Sequence, residues 1–260
     1  FFRQNFSQVT NPPIDSLREN KVMSLKTRFG NLGNILDFDN LTEENIYVLD
    51  SPILTNSQFK KFKKFFSKKV KVIDCTFDIK LSLKERIDSI REESETAVRE
   101  GSTCLILSDK NISNEKASIP SILTVGAVHS HLVKHGLRGY CSLNIECSDA
   151  LDTHSFAVLI GVGATTINPY LAIDSIYQRF EKKLFGKSDF ETCVSKFKKS
   201  IDAGLLKIMS KMGISVISSY RGGCNFEAVG LSRAIVSDYF PGMSSRISGI
   251  GIIGIEKKIK

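Results

Sequence analysis

Several patterns that mark well-defined protein classes are missing from this chain of 260 residues. No apolar run approaches the roughly 20 residues that a membrane-spanning helix needs, so we expect no membrane partner. No Gly-x-Ser-x-Gly nucleophile elbow occurs, and no glycine motif has the spacing and context of a dinucleotide site. The sequence therefore contains no catalytic, cofactor-binding or metal-binding residue that a motif alone identifies.

Cysteine pairing is also missing. The six cysteines show no Cys-x-x-Cys spacing, and most lie within or beside apolar runs typical of strands: Cys75, Cys104, Cys141, Cys147, Cys193 and Cys224. We predict buried free thiols, which fit the cytoplasm or the interior of a plastid-type organelle. The opening segment lacks the apolar core of a signal peptide and begins with Phe1, so we expect a piece of a longer chain.

The net charge is +8, which raises a nucleic-acid hypothesis. The densest basic run is Lys60–Lys71, where Phe59, Phe62 and Phe66 recur at helical spacing. A helix that packs an aromatic face on the core and exposes its lysines explains this pattern. Arginine is sparse and no nucleic-acid-binding signature is visible, so we expect no nucleic-acid partner.

Short β-branched runs alternate with longer amphipathic stretches. The predicted strands are 46–49, 70–75, 103–107, 143–147, 165–167 and 214–219, and the predicted helices include 82–100, 120–134 and 191–212. About six alternations favour an α/β fold with parallel strands joined by crossovers. Because a complete eight-fold barrel needs about 250 residues, we predict an incomplete or irregular β/α barrel.

Residues 203–231 carry the most informative local pattern. Gly204–Met212 has helical spacing, Gly213 ends that helix, and Ile214–Ser219 is predicted as a buried parallel strand. A turn follows, and a further helix is predicted to open at Asn225. The loop after a parallel strand is where α/β folds place ligands or partners, so this turn is the first candidate site.

The turn contains one cation beside two glycines. Arg221, Gly222 and Gly223 are predicted as an anion-binding or partner-binding loop, and their backbone amides could face a ligand. The glycines at 161 and 163 could do the same. Tight turns are the simpler explanation of both pairs, and Arg221 is equally suited to an ion pair with Glu227.

Other reactive side chains carry weaker signals. His131 and His135 lie four apart on a predicted helix and could share a metal, but no acidic residue is near them in sequence. We therefore predict ordinary helix histidines, and a helix-start role for His154. Cys75 and Cys147 are the best thiol nucleophiles by position, but burial is the simpler interpretation.

Four stretches resemble one known family. They read AGLLKIMSKMGISVISSYRGGCNFEAVGL (203–231), QVTNPPIDSLRENKVMSLKTRFGNLGN (8–34), SIPSILTVGAVHSHLVKHGLR (118–138) and INPYLA (167–172). Together they resemble the central domain of the large chain of ferredoxin- or NAD(P)H-dependent glutamate synthases. The chain departs from the family pattern at 223–225 and over 146–156, which weakens any transfer of partner contacts at those two loops.

The resemblance implies a fold similar to the neighbouring FMN-binding barrel, without a cofactor or active site in this domain. It implies that the whole enzyme makes two glutamates from glutamine and 2-oxoglutarate with FMN, an iron–sulfur cluster and an electron donor, either ferredoxin or a small subunit. The chain would then link the glutaminase and FMN domains and contribute to an ammonia tunnel. The residues predicted to border the tunnel, or to form an interdomain loop, are Thr10, Asn11, Pro12, Pro13 and Ile14.

The predicted organisation has three parts. Residues 1–41 form an N-terminal loop and short helix, 42–231 form the β/α core, and 232–260 form a C-terminal connector. Two alternatives remain open: an independent barrel that binds flavin or a phosphorylated metabolite, and a basic nucleic-acid-binding module. A bound chromophore would favour the first, and salt-dependent retention on DNA the second.

Overall fold

The computed structural model describes residues 1–6, 13–29 and 47–260. Its strands and helices, in chain order, are β1 (Phe2–Gln4), α1 (Ser16–Val22), β2 (Thr27–Phe29), β3 (Tyr47–Leu49), α2 (Asn56–Phe66), β4 (Val70–Asp74), β5 (Thr76–Asp78), α3 (Leu83–Arg99), β6 (Cys104–Ser108), β7 (Lys116–Ser118), α4 (Ser121–Lys134), β8 (Ser142–Glu146), α5 (Thr153–Gly161), β9 (Thr166–Asn168), α6 (Tyr170–Glu181), α7 (Phe190–Met212), α8 (Ile217–Tyr220), β10 (Phe226–Leu231), α9 (Arg233–Tyr239), β11 (Ser244–Ile250) and α10 (Ile252–Ile259).

The centre of the fold is a four-stranded sheet with the order β4-β6-β8-β9, in which every neighbouring pair is parallel. Every residue of β6 and β8 is buried, because helices cover both faces of a parallel sheet. The strands lie side by side in chain order, which is the arrangement of a β/α barrel. Within the described residues the sheet stays open, which confirms the predicted α/β class and its incomplete barrel.

The stretch before α2 extends the sheet at its far edge. Ile53 forms a parallel bridge with Ile167 of β9, and hydrogen bonds of 2.8 Å join Leu54 N to Ile167 O and Ile167 N to Pro52 O. This pairing brings the start of the core beside the last strand of the sheet. It also positions α2 against the sheet, where its phenylalanines pack with Cys104 and Ile106 of β6.

Helix α2 carries the densest basic run. Phe59, Phe62 and Phe66 are buried on one face and pack with Leu54 and Ile106. The lysines occupy the remaining faces, and Thr55 closes a capping box at the N-terminus. The predicted helix with an aromatic core face is therefore confirmed.

The predicted helix ends are confirmed at several positions. Ser82 Oγ accepts a hydrogen bond from Glu85 N at 3.4 Å and caps α3. Gly213 ends α7 in the left-handed conformation with φ of 69°, where a residue with a Cβ would be strained. Residues 190–212 form one continuous helix of 23 residues.

Two predictions for the stretch 203–231 are wrong. Among the described residues, the predicted strand Ile214–Ser219 forms only one bridge, between Val216 and Ser24, and then turns into α8. The helix predicted to open at Asn225 is strand β10, in which Phe226 and Ala228 are buried at alternate positions. The cause is tertiary pairing, because β10 lies between β1 and β11 in a separate three-stranded sheet.

Residues 232–260, predicted as a connector, contain α9, β11 and α10. Strand β11 runs parallel to β10, and Ile235, Val236 and Tyr239 of α9 are buried. A hydrogen bond of 2.9 Å from Leu83 N to Glu256 Oε2 attaches α10 to the start of α3. This part of the chain is thus packed against the core. No helix among the described residues combines the length and apolar character that a bilayer crossing requires.

Candidate functional site

The predicted tunnel segment is only partly described. Thr10, Asn11 and Pro12 lie outside the described residues, whereas Pro13 is exposed and Ile14 is half-buried. Both the backbone N–H and the backbone carbonyl of Ile14 are hydrogen-bonded to helix α7. Ile14 N donates to Ser210 O and Ser210 Oγ contacts Ile14 O, each at 2.9 Å.

Two further contacts fix the chain after Ile14. Asp15 Oδ1 accepts hydrogen bonds from Leu17 N at 3.1 Å and Arg18 N at 3.0 Å, so Asp15 caps α1. Glu19 in α1 then returns to α7, where its Oε1 lies 2.8 Å from Ser210 Oγ. Because Ser210 is buried, this contact joins α1 to the interior side of α7.

A second attachment lies beyond α1. Ser24 N donates to Ser215 O at 2.8 Å, and Ile217 N donates to Ser24 O at 3.1 Å. The isolated bridge at Val216 is thus the place where the N-terminal segment is fastened beside α8. The segment 13–24 is held at its two ends by the end of α7 and the chain that follows it.

The Arg221 loop uses its backbone amides within the chain. Gly222 N donates to Ile160 O at 3.2 Å, Gly223 N to Tyr220 O at 3.2 Å, and Cys224 N to Gly161 O at 3.1 Å. The backbone amides of residues 162 and 163 likewise donate hydrogen bonds within the chain, to carbonyls at the end of α5. The idea that these glycine loops present free amides to an anion is therefore wrong, and only the Arg221 side chain remains for such a contact.

The Arg221 guanidinium is buried, and few hydrogen bonds offset the cost of removing its charge from water. Its Nε and Nη2 atoms find no hydrogen-bond partner among the residues that the structure describes. The proposed ion pair with Glu227 is not formed, because Glu227 faces Arg3 at 3.8 Å and Arg246 at 3.6 Å. Burial, followed by the nearby charge of Arg138, lowers the pKa of Arg221 to about 10.

His129 and Arg138 lie beside Arg221, and we call these three residues the buried cationic cluster. Arg138 donates to Cys141 O at 2.6 Å and to Gly163 O at 2.8 Å, and it contacts His129 Nδ1 at 3.1 Å. Burial lowers the pKa of Arg138, and burial together with Arg138 lowers the pKa of His129 to about 4. Arg138 and Arg221 give this cluster its positive charge, whereas His129 is neutral.

A polar layer that was not predicted from the sequence lies at the carboxyl ends of the parallel strands. Ser108 Oγ donates to Glu146 Oε2 at 2.6 Å, and Lys110 Nζ lies 3.5 Å from Glu146 Oε1. Asp109 Oδ2 accepts hydrogen bonds from Ser148 N at 3.0 Å and Ser148 Oγ at 2.6 Å. In the sequence, the feature that could have predicted this layer is a polar residue directly after each buried apolar run.

Most groups of this layer are already paired with one another. Burial and the neighbouring Asp109 carboxylate raise the pKa of Tyr170, and Lys110 Nζ lies 5.4 Å from the centre of the Tyr170 ring. Asp109 Oδ1 is buried without a hydrogen-bond partner in the described part of the chain. The layer resembles a closed hydrogen-bond network more than an open ligand site.

The cysteines and His154 match their structural predictions. All six cysteines are free, and only Cys224 is not fully buried. Burial raises the pKa of Cys75 and Cys147, so both remain uncharged thiols. His154 lies in the first turn of α5, and its Nε2 is 2.9 Å from Phe2 O.

His131 and His135 have an acidic neighbour that their sequence context did not show. Glu95 of α3 reaches both rings, with Oε2 at 2.6 Å from His131 Nε2 and 3.8 Å from His135 Nδ1. The packing of α3 against α4 creates this group. The carboxylate beside these histidines is thus supplied by tertiary packing and not by a residue near them in sequence.

The parallel sheet and the attached segment 13–24 define an α/β protein of the incomplete-barrel class. The sequence profile described as the glutamate synthase central domain matches residues 1–232, and the chain belongs to this family. The resemblance found in the four sequence stretches is thus confirmed.

Similar full-length proteins carry the same family name. The glutamate synthase (NADPH) large chain of Azospirillum brasilense is 56% identical over 262 residues, covering 100% of this chain and 17% of that protein. The corresponding large chain of Bacillus subtilis is 42% identical, covering 97% of this chain and 16% of its own length. The chloroplastic ferredoxin-dependent enzyme of Spinacia oleracea is 39% identical, covering 96% and 16%. The chain therefore spans about a sixth of the length of these relatives.

Solved structures show a more distant likeness. The recombinant flavin-binding domain of baker's yeast flavocytochrome b2 aligns with a TM-score of 0.44 and 14% identity, covering 72% of this chain and 43% of that one. A mandelate oxidase mutant with a monooxide FMN adduct aligns with a TM-score of 0.38 and 12% identity, covering 50% of this chain and 37% of that one.

Proposed function

We propose that this chain is a non-catalytic central domain that links a glutaminase domain to an FMN domain and borders the path of ammonia between them. The observation that carries this proposal is the family match over residues 1–232 together with the anchored segment at Ile14. The whole enzyme would convert glutamine and 2-oxoglutarate into two glutamates. It would use FMN, an iron–sulfur cluster and an electron donor, either ferredoxin or a small subunit.

The chemistry of ammonia transfer sets requirements for such a path. A charged or wet wall would trap the molecule as ammonium, so the wall should be neutral and should offer backbone carbonyls as acceptors. The sequence Thr10-Asn11-Pro12-Pro13-Ile14 is uncharged, and its prolines carry no N–H donor. These properties support a place for this segment beside the path.

The anchor at Ile14 supports the same proposal from the structural side. Both polar atoms of the Ile14 backbone contact Ser210, a buried residue in the last turn of α7. Helix α7 is the longest helix described and packs on α5, which begins after the central strand β8. A wall of the ammonia path that begins at Ile14 would thus be attached to the core of the domain and not to a surface loop.

The coupling between glutamine hydrolysis and glutamate formation tests this proposal. We expect Asn11→Trp in the full-length enzyme to raise the glutamine hydrolysed per glutamate formed, because a bulky ring would obstruct the path. The matched control is Lys21→Trp, which places the same ring on an exposed position of α1. Unchanged coupling in Asn11→Trp, or equal uncoupling in the control, would remove Asn11 from the path.

Flavin stoichiometry tests the claim that this domain holds no cofactor. We expect one FMN per full-length chain, released by denaturation and measured against protein concentration. Two per chain would place a second flavin in this domain and favour the independent-barrel alternative. A cytoplasmic or organellar compartment fits the buried free thiols, and two similar plant enzymes are named as chloroplastic or chloroplastic/mitochondrial.

Arg221 is the second part of the proposal. We infer that its buried guanidinium meets an anionic group outside the described residues, since unpaired buried charge is costly. A carboxylate of a neighbouring domain would satisfy Nε and Nη2 together. This contact would make the Arg221 loop a partner-binding loop, with Gly222 and Gly223 shaping the turn.

A further inference from the structure

Helices α3 and α4 bring one carboxylate and two imidazoles to a single point. His131 and His135 are four residues apart on α4, so their rings lie on one face, with ring centroids 4.3 Å apart. Glu95 faces them from α3, with Oε2 at 2.6 Å from His131 Nε2. Ligand atoms from all three residues lie within 4.8 Å of one another.

These dimensions are close to those of a metal site. A tetrahedral zinc ion with bonds of about 2.1 Å places its ligand atoms roughly 3.4 Å apart. For a metal to enter, the 2.6 Å between Glu95 Oε2 and His131 Nε2 has to open toward this spacing. Nitrogen donors favour zinc and similar transition metals over Mg²⁺ and Ca²⁺, which prefer oxygen ligands.

The surrounding hydrogen bonds orient two of the three ligands. Arg99 Nε donates to Glu95 Oε1 at 2.8 Å, which leaves Oε2 directed at the imidazoles. His135 Nδ1 lies 2.9 Å from His131 O and 3.8 Å from Glu95 Oε2. Because a carbonyl only accepts, Nδ1 carries the proton and Nε2 holds the lone pair, so the His135 ring has to turn Nε2 toward Glu95 to bind a metal. A metal-binding histidine usually fixes its tautomer by this kind of bond to a backbone carbonyl.

The position of the group leaves it accessible. His135 is exposed, and Glu95 and His131 are half-buried at the surface between the two helices. Three protein ligands would leave the fourth tetrahedral position for water. The hydrogen now shared by His131 and Glu95 would be displaced when the metal enters.

We propose that Glu95, His131 and His135 form a zinc-binding site that clamps α3 to α4. The site uses no residue of the segment at Ile14 or of the Arg221 loop, and it does not depend on the proposed role in ammonia transfer. A ligand that binds only the folded state stabilises that state in proportion to the logarithm of its concentration. Zinc would therefore strengthen the packing of these two helices.

Zinc binding to the full-length protein tests the site. Protein freed of loosely bound metal is dialysed against buffered ZnSO₄, and bound zinc is measured by mass spectrometry. We expect one more zinc per chain in the wild type than in His135→Gln or Glu95→Gln, with affinity at least about tenfold weaker in each variant. His154→Gln removes a histidine elsewhere and is expected to bind zinc as the wild type does.

A second readout separates the clamp from incidental binding. We expect zinc to raise the thermal midpoint of the wild type and of His154→Gln, and to leave that of His135→Gln unchanged. Because His135 is exposed, the His135→Gln protein should fold normally without metal. Equal zinc content in the wild type and His135→Gln would overturn the site, and binding without a thermal shift would overturn the clamp.

Discussion

Arg138 donates a hydrogen bond from Nε to Nδ1 of His129 over 3.1 Å. An imidazole nitrogen that accepts this bond cannot carry a proton, so His129 is held neutral with its hydrogen on Nε2. The adjacent Gly222 approaches closely, since a Cβ added there would lie 3.3 Å from His129 Cε1. His129 is thus enclosed by a cation on one side and by the Arg221 loop on the other.

This enclosure predicts an acid-sensitive stability. The pKa of His129 falls from 6.5 in the unfolded chain to about 4 in the folded protein, first through burial and then through Arg138. Between these values the unfolded state binds more protons, so stability falls as the pH falls. We expect a loss on the order of 3 kcal/mol from this residue between about pH 6.5 and pH 4.

Unfolding in urea at several pH values checks this effect. His129→Gln can still accept a hydrogen bond from Arg138 but cannot be protonated, so its stability should depend less on pH in that window. His154→Gln, with its exposed side chain, should keep the wild-type dependence. Parallel curves for the wild type and His129→Gln would show that His129 does not contribute.

Arg221 offers a direct test of its proposed anionic partner. In the full-length enzyme, Arg221→Met should lower stability by about 3–5 kcal/mol, because it leaves a buried acid unpaired. Arg246→Met is the control, since 85% of the Arg246 side chain is exposed. An Arg221→Met enzyme that melts at or above the wild-type temperature would mean that no such partner exists.

The contact between α4 and α9 predicts a strict requirement at Gly126. A Cβ added there would lie 2.8 Å from Phe240 Cδ1 and 2.9 Å from Tyr239 O, closer than packed atoms approach. We expect Gly126→Ala to destabilise the fold by about 1–3 kcal/mol through overpacking. Gly139→Ala meets no atom within 4 Å and should stay within about 0.5 kcal/mol of the wild type, as denaturant midpoints can show.

Thiol accessibility predicts an order of alkylation. Cys224 is partly exposed, whereas Cys75 and Cys104 are buried, with the pKa of Cys104 raised to about 12. Under native conditions we expect Cys224 to react first and the two buried thiols at less than about a tenth of its rate. Peptide mapping after alkylation measures the order. Early modification of Cys75 would revive it as a candidate nucleophile.

The parallel sheet could be predicted because its strands are short apolar runs between well-capped helices. Ser82, Gly101 and Gly213 mark helix boundaries by local chemistry that the sequence displays directly. The stretch Phe226–Leu231 could not be assigned in this way, because its strand state depends on pairing with residues 2–4. Local strand propensity is weak evidence where pairing with distant residues decides whether a strand forms.

The candidate sites show the same difference between features set by neighbouring residues and features set by distant ones. Asp15 caps α1 through residues two and three positions along the chain, whereas the carboxylate that meets His131 is 36 residues away on another helix. The finding that Arg221 Nε and Nη2 have no partner in the described part of the chain also depends on residues distant in sequence. Spacing along one helix can suggest a ligand pair, but the third group requires the tertiary arrangement.

The pairing of β1 with β10 has a consequence for the biogenesis of the protein. Gln4 of β1 pairs with Phe226, so the two strands are separated by about 220 residues of synthesis. At about 5–20 residues per second, the ribosome needs roughly 10–45 s to deliver the partner strand. During this interval β1 is an unsatisfied edge, and its sheet is completed only after the central β/α units have emerged.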